Sequence, residues 1–255
     1  ANDVTEYTLS FYVQADFDTE WGNYPVRGNF GVRVVDTDIT SVGYRGPITV
    51  EEIDGVGFVV TEGDPGEEGF ETDTQKNDYQ EVLPSLTVIM DLNDDLILRS
   101  GIFRGMSRPD PDGFGNGRAI QDNDVTNAYS SLSEAVNGIS ATGNPYLKPI
   151  LSTNVDLGLE WYPNVDTMVA GAIYWKEFNG GFETVAQLET FNLDGNEVQG
   201  LVETTQISDK NSTIKGFELT LTHAFDYLPG FWSGFGGKLS YMYDDSDFEF
   251  EDQHG

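Results

Sequence analysis

The sequence predicts an all-β chain, an antiparallel β-barrel of the membrane-spanning kind, and three observations carry that prediction. Side chains alternate between apolar and polar with a period of two over several runs, where a helix would show 3.6. The connections between those runs are short and long by turns. Aromatic residues gather at the short ones.

The first run, residues 6–18, puts Tyr7, Leu9, Phe11, Val13, Ala15 and Phe17 on one face and Thr8, Ser10, Tyr12, Gln14 and Asp16 on the other. Runs near 26–37, 79–91 and 95–107 are strand-like but less regular. Arg99 and Arg104 fall on opposite faces of the last, which sets at least one of them near a membrane interface or beyond it. The run 151–161 is the cleanest: Leu151, Thr153, Val155, Leu157, Leu159 and Trp161 oppose Ser152, Asn154, Asp156, Gly158 and Glu160. A weaker run at 166–178 follows. Phe217, Leu219, Leu221 and His223 then alternate with Gly216, Glu218, Thr220 and Thr222, and Phe235, Leu239, Tyr241 and Tyr243 close the series. The reading is about eight strands long enough to cross a bilayer at a tilt.

Short connections at 19–25, 91–95, 162–166 and 226–233 hold the Gly, Pro, Asn and Asp that tight turns require. Long ones at about 41–78, 108–149 and 179–211 lie between them. Several long structureless loops are rare in a compact soluble domain. Short turns at the periplasmic end and long loops at the extracellular end are normal in a transmembrane barrel. Trp21 and Tyr24, Trp161 and Tyr162, and Tyr227, Phe231 and Trp232 sit at or beside the short turns, where interfacial aromatic girdles belong.

Composition narrows the function. No apolar stretch approaches the roughly 18–20 residues of a spanning helix, while a barrel, exposing only alternate residues to lipid, keeps the hydropathy of a soluble protein. The 44 acidic against 13 basic residues give a net charge of −31, which would repel nucleic acid. With no cysteine, disulfide scaffolds, thiolate metal sites and cysteine nucleophiles are excluded. His223 and His254 form no ligand motif, and no Ser-His-Asp set can be assembled. Acidic pairs such as Asp94-Asp95 and Glu51-Glu52 read as solvated surface, with no spacing that fixes two carboxylates across a sugar. The acidic stretch from Glu62 to Asp73 lacks EF-hand spacing, and Gly113-Phe114-Gly115-Asn116-Gly117 lacks the lysine of a phosphate loop. The chain is read as non-enzymatic, with no cofactor and no metal.

Several strings then resemble, in order, the barrel of TonB-dependent outer-membrane receptors. Pro25-Val26-Arg27-Gly28-Asn29-Phe30-Gly31-Val32-Arg33 is similar to that family's G-N-x-G-x-R strand, and Leu83-Pro84-Ser85-Leu86 to its L-P-S-L strand. Ser107-Arg108-Pro109-Asp110 resembles an S/A-R-P strand end, and Gly143-Asn144-Pro145-Tyr146-Leu147-Lys148-Pro149 resembles G-N-P-x-L-K-P. Asn154 through Tyr162 fits N-x-D-L-x-L-E-W-Y, and Ile214-Lys215-Gly216-Phe217-Glu218 fits I-K-G-F-E. The flavour is closest to the Xanthomonas and Caulobacter type, many members of which resemble carbohydrate importers.

The resemblance implies energy-coupled import of a bulky nutrient across a Gram-negative outer membrane, with an oligosaccharide as the leading cargo and an iron–siderophore or other metal chelate as the alternative. A secreted, soluble β-rich carbohydrate-binding module is the rival from another class. The implied partners are outer-membrane lipid, the nutrient, and the TonB-ExbB-ExbD system acting through an N-terminal plug. A full barrel of this kind has about 22 strands around a plugged lumen. Residues 1–255 are therefore expected to be part of one barrel domain, without plug, first strands or last strands. Arg33, Asn154, Asp156, Glu160 and Glu218 are expected to face the lumen and the plug. Phe114, Asn116, Tyr129 and Phe182, in the long loops, are the candidate ligand contacts.

Overall fold

The computed structural model describes residues 2–45, 48–54, 56–62, 71–120, 129–131, 139–141, 143–179, 182–193, 196–207 and 210–248. Among these, eight strands form one antiparallel sheet: β1 (Asn2–Trp21), β2 (Tyr24–Arg45), β5 (Glu71–Asn93), β6 (Leu96–Ser107), β9 (Ile150–Asn164), β10 (Thr167–Asn179), β13 (Asn211–Ala224) and β14 (Gly236–Asp247), in that spatial order. This is a wall of a barrel, not closed on itself, with β1 and β14 at its two edges. Leu96 opens β6 opposite Trp161, so β9 runs on past the start of its neighbour. Such stagger is what tilted strands around a barrel produce.

Register assigns the faces. Residues directly opposite on antiparallel strands point the same way, so one face can be followed across the sheet. Phe11 meets Val34, and Val32 meets Pro84. Leu86 meets Ile102, which meets Val155. Leu157 meets Ile173, which meets Phe217, which meets Tyr243. Apolar side chains thus line up across all eight strands on one face, and most of them are exposed. Left in water, so broad an apolar surface would drive aggregation; facing lipid, it is stabilised. Trp21, Tyr24 and Trp161 lie on this face at the short-turn end. Tyr162, one residue along, necessarily turns to the other face, where its hydroxyl donates to Glu160.

The first hairpin closes more tightly than the sequence reading places it. Trp21 pairs with Tyr24 across a two-residue turn whose Gly22 has φ +66°, the left-handed conformation that such turns favour. A second glycine, Gly28, lies where the Phe17 ring and the Thr87 carbonyl leave no room for a Cβ. Replacing Gly28 with valine is expected to force β2 and β5 apart and cost about 1–3 kcal/mol, as overpacking does. A lowered midpoint in urea unfolding of the vesicle-embedded protein would show it; an unchanged midpoint would contradict this packing.

The long connections differ most from expectation. β2 runs on to Arg45, and β5 begins at Glu71, so both overrun the predicted 41–78 connection. Within that connection, β3 (Ile48–Ile53) and β4 (Gly57–Glu62) pair as a hairpin. The 108–149 connection contains a 3-10 turn at Pro111–Phe114 and two short strands, β7 (Arg118–Ile120) and β8 (Ile139–Ala141). The 179–211 connection is a hairpin of β11 (Phe182–Leu193) and β12 (Asn196–Ile207), which joins β8 and β7 in a four-stranded sheet. These segments mix apolar and polar residues without a regular alternation, although Val59 and Val202 among them are buried, so a period-two pattern does not reveal them. At 20 or more residues, β1, β2 and β5 are about twice the 9–11 a bilayer crossing needs.

Candidate functional site

The second face of the wall is polar, and register brings all five residues read as lumen-facing onto it. Arg33 lies opposite Tyr12 and Leu83. Asn154, Asp156 and Glu160 alternate along β9, and Glu218 follows on β13 through Ala172 and Gly158. Their partners are on the same face. The Arg33 guanidinium sits over the Tyr12 ring, 5.5 Å from its centroid. The Arg99 Nε donates to Glu160 Oε1 at 2.7 Å, and Tyr162 donates to its other oxygen at 2.9 Å. Buried Asn154 donates through Nδ2 to Ser152 Oγ at 3.0 Å. Arg27 and Asp91 pair at 2.5 Å nearer the turns. The sequence reading missed Arg27, Asp91 and Arg99 as members of this face, although the Arg99/Arg104 parity already required one arginine to point inward. Arg104 is the outward one, opposite Thr153.

Toward the long-loop end, this polar face is roofed. The chain leaving β6 crosses back over β5 and β2 to reach β1, where Arg108 Nη1 donates to Glu6 Oε1 at 2.7 Å and to Thr8 Oγ1 at 2.9 Å. Phe114 then inserts under the roof, fully enclosed against Ile39, Tyr79 and Leu147. Burial pushes the Tyr79 phenol above its ordinary range. Asn116 Nδ2 donates to Asp73 Oδ2 at 3.0 Å, and Gly43 lies so close beneath the Asn116 backbone that a Cβ would overlap it. The returning segment alternates strictly: Pro145, Leu147 and Pro149 are buried, while Tyr146 and Lys148 are exposed.

Where this roof meets the β11–β12 hairpin, a cleft of about 370 Å³ opens. Asp73, Gln75, Asn116, Arg118, Tyr146 and Glu189 are among its lining residues. Arg118 holds Glu189 through two bonds, Nη2 to Oε1 at 2.8 Å and Nε to Oε2 at 3.1 Å. Asn144 Nδ2 donates to the Thr205 carbonyl at 2.8 Å, tying roof and hairpin a second time.

The four candidate ligand contacts separate. Asn116 lines the cleft. Phe114, with no exposed surface, has no ring face to offer and packs the roof instead. Tyr129 lies elsewhere, exchanging backbone hydrogen bonds with Phe58 on β4. The Phe182 side chain, like His254 and residues 63–70 of the acidic stretch, lies outside the described residues. Tyr146, Gln75 and Gln187, which do line the cleft, were missed because their exposure depends on what packs beneath them. Among the described residues no cluster of three or more metal-ligating side chains occurs, and no helix is long and apolar enough to cross a membrane.

The model of the family described as "TonB dependent receptor-like, beta-barrel" matches residues 1–254. No curated protein sequence matches. Among solved structures, the chain is similar to the siderophore receptor PirA of Pseudomonas aeruginosa, at 14% identity and TM-score 0.45, covering 97% of this chain and 44% of that one. It is also similar to the outer-membrane transporter YddB of Escherichia coli, at 10% identity and TM-score 0.46, covering 96% and 34%. The FrpB iron transporter of Neisseria meningitidis matches at 11% identity and TM-score 0.42, covering 97% and 36%. The chain thus spans less than half the length of each of these structures.

Proposed function

The chain belongs to the TonB-dependent receptor β-barrel family, a family of outer-membrane receptors, and from that premise we propose that it serves active uptake of a bulky nutrient, an oligosaccharide, across a Gram-negative outer membrane. The observation that carries the proposal is the two-faced wall: apolar side chains in register on one face of eight strands, and charged and hydrogen-bonding ones on the other. A soluble binding module would have no use for the first face, since water penalises it. In this reading the apolar face meets lipid and the polar face lines a wet lumen.

Residues 1–255 then form part of one barrel domain, and Arg33, Asn154, Asp156, Glu160 and Glu218 are the groups against which a plug would rest. TonB, energised by ExbB and ExbD, would act on that plug. The roofed end would face the outside of the cell and receive the nutrient, with no covalent chemistry. Assignment to the Xanthomonas and Caulobacter type rests on the ordered motifs, above all Gly143 through Pro149.

Growth on single nutrients tests this. A strain lacking the gene should lose growth on one oligosaccharide at limiting concentration, and regain it only with a TonB-competent copy. Loss of growth on a single iron chelate instead would move the cargo to the siderophore class. Unchanged growth on every carbon and iron source, together with recovery of the full-length protein in the soluble fraction, would overturn the import reading.

A further inference from the structure

We propose that the cleft between the β6–β9 connection and the β11–β12 hairpin is a subsite for a neutral, hydroxyl-rich sugar unit, with Tyr146 as the ring on which the sugar stacks. The proposal rests on the import reading for its setting and adds a site and a ligand class to it.

Three features argue for it. The first is a fixed aromatic platform. Tyr146 is 55% exposed, yet it is held from three sides. Its hydroxyl donates to Gln75 Oε1 at 2.7 Å, its backbone N–H donates to Asn144 Oδ1 at 2.9 Å, and its neighbours Pro145 and Leu147 are buried. An exposed aromatic that is already immobilised loses little entropy on binding. Its flat apolar face suits the C–H face of a pyranose, while its rim stays polar.

The second is the supply of hydrogen-bonding groups without a free cation. Gln187 brings an amide. Gln75 and Asn116 bring amides whose nitrogens already donate to Asp73, and Asn144 brings one bonded to Thr205 and Tyr146. Asp73 and Glu189 bring carboxylate oxygens. Sugar hydroxyls both donate and accept, so they match such a lining. Arg118 is the cleft's one lining cation among the described residues, and it is occupied. Glu189 closes its fork from two nitrogens, and Nη1 donates to the Gly117 carbonyl at 3.0 Å.

The third is the sign of the remaining charge. Asp73 stands in the lining beside the Arg118–Glu189 pair, and a carboxylate there disfavours an anionic ligand. A carboxylate or catecholate ligand would have to displace Glu189 to reach Arg118. At about 370 Å³ the cleft lies within the 300–1,000 Å³ or so of ordinary small-molecule sites. It can hold one or two sugar units of a longer chain, the rest lying along the roof.

Calorimetry on the full-length protein in detergent tests the assignment. The probes are maltohexaose, cellohexaose, xylohexaose and mannohexaose as neutral sugars, hexagalacturonate as an anionic sugar, and ferric enterobactin as an anionic chelate. At least one neutral hexasaccharide should bind. Tyr146→Ala should weaken it by about tenfold or more through lost stacking area, and Gln187→Ala should weaken it by a smaller factor. Glu189→Gln should free Arg118 and raise the affinity for hexagalacturonate; heat-modifiable migration confirms that each variant is folded. If a neutral sugar binds but Tyr146→Ala and Gln187→Ala leave its Kd unchanged, the cleft assignment falls while the import reading stands. If no neutral sugar binds, or an anionic probe binds best to the unaltered protein, the neutral-sugar assignment falls. The import reading is judged separately, by growth.

Discussion

Replacing Phe114 with alanine is expected to release the roof from the wall while leaving the wall itself folded. Phe114 has no exposed surface and fills the space between Ile39, Tyr79 and Leu147. Truncating an enclosed phenylalanine costs about 3–5 kcal/mol, through lost transfer energy and the cavity left behind. The ladders joining β1, β2, β5 and β6 owe nothing to this ring, so the cost falls on local docking. What then remains to hold the roof is the packing of Pro145, Leu147 and Pro149 and three polar ties: Arg108 on Glu6, Asn116 on Asp73, and Asn144 on Thr205. The exposed Arg108–Glu6 pair contributes about 0–1 kcal/mol, and each of the part-buried amide hydrogen bonds about 0.5–1.5 kcal/mol net. Limited proteolysis should therefore cut the 108–149 segment about a hundredfold faster or more, tracking the population of the open form. Heat-modifiable migration should be unchanged. Asn116 and Tyr146 would lose their fixed positions in the same event, so nutrient binding should fall with the protection. Phe114→Leu refills most of the volume and should restore most of both. Unaltered protease protection in Phe114→Ala would mean that the polar ties and the buried Pro145, Leu147 and Pro149 hold the roof without this ring.

The same residue explains why the site was less legible than the wall. Read in sequence, an aromatic between Gly113 and Gly115 in a long loop looks available to a ligand. In the fold, the ring is inserted against Ile39, Tyr79 and Leu147 and becomes an anchor. Tyr146 is the converse case. It occupies the unspecified position of a motif whose specified residues Pro145, Leu147 and Pro149 are all buried. Its exposure follows from their burial, a tertiary fact that no local pattern states. The wall, by contrast, was legible wherever one face meets a uniform apolar medium. From Leu151 to Trp161 the outward residues are nearly all apolar, and β9 lies where the alternation places it. Alternation fails higher on β2. There Asp36 and Asp38 point outward into water, while Val35 and Ile39 point inward beneath the roof. The apolar side has changed face, so a single period-two pattern cannot extend through both halves of the strand. The β11–β12 hairpin buries Val202 but mixes apolar and polar residues irregularly along both strands, and left no pattern to follow.

Placing an arginine at Leu157 is expected to give the largest loss of assembly of any single substitution on the wall. Leu157 is the middle of the apolar run on β9, and its cross-strand neighbours are Ser100 on β6 and Ile173 on β10. None of these offers a counter-charge. The run extends from Leu151 to Trp161, so a charge at its centre is far from either interface and cannot easily reach headgroups. At the midplane of a barrel's lipid face such a substitution costs about 2–4 kcal/mol, against about 0–1 near the interfaces. The urea midpoint of the vesicle-embedded protein should fall accordingly, and the heat-modifiable form should be depleted in outer-membrane extracts. The matching control is one residue away. Asp156 points to the opposite face, where Arg33 and Arg99 are already tolerated, so Asp156→Arg should cost less than about 1 kcal/mol, as exposed charge changes generally do. Two adjacent positions, given the same side chain, should therefore differ in cost by a factor of several. Equal costs at Leu157 and Asp156 would overturn the assignment of faces. A greater cost at Asp156 would reverse it, putting the apolar row inside and the charged one out.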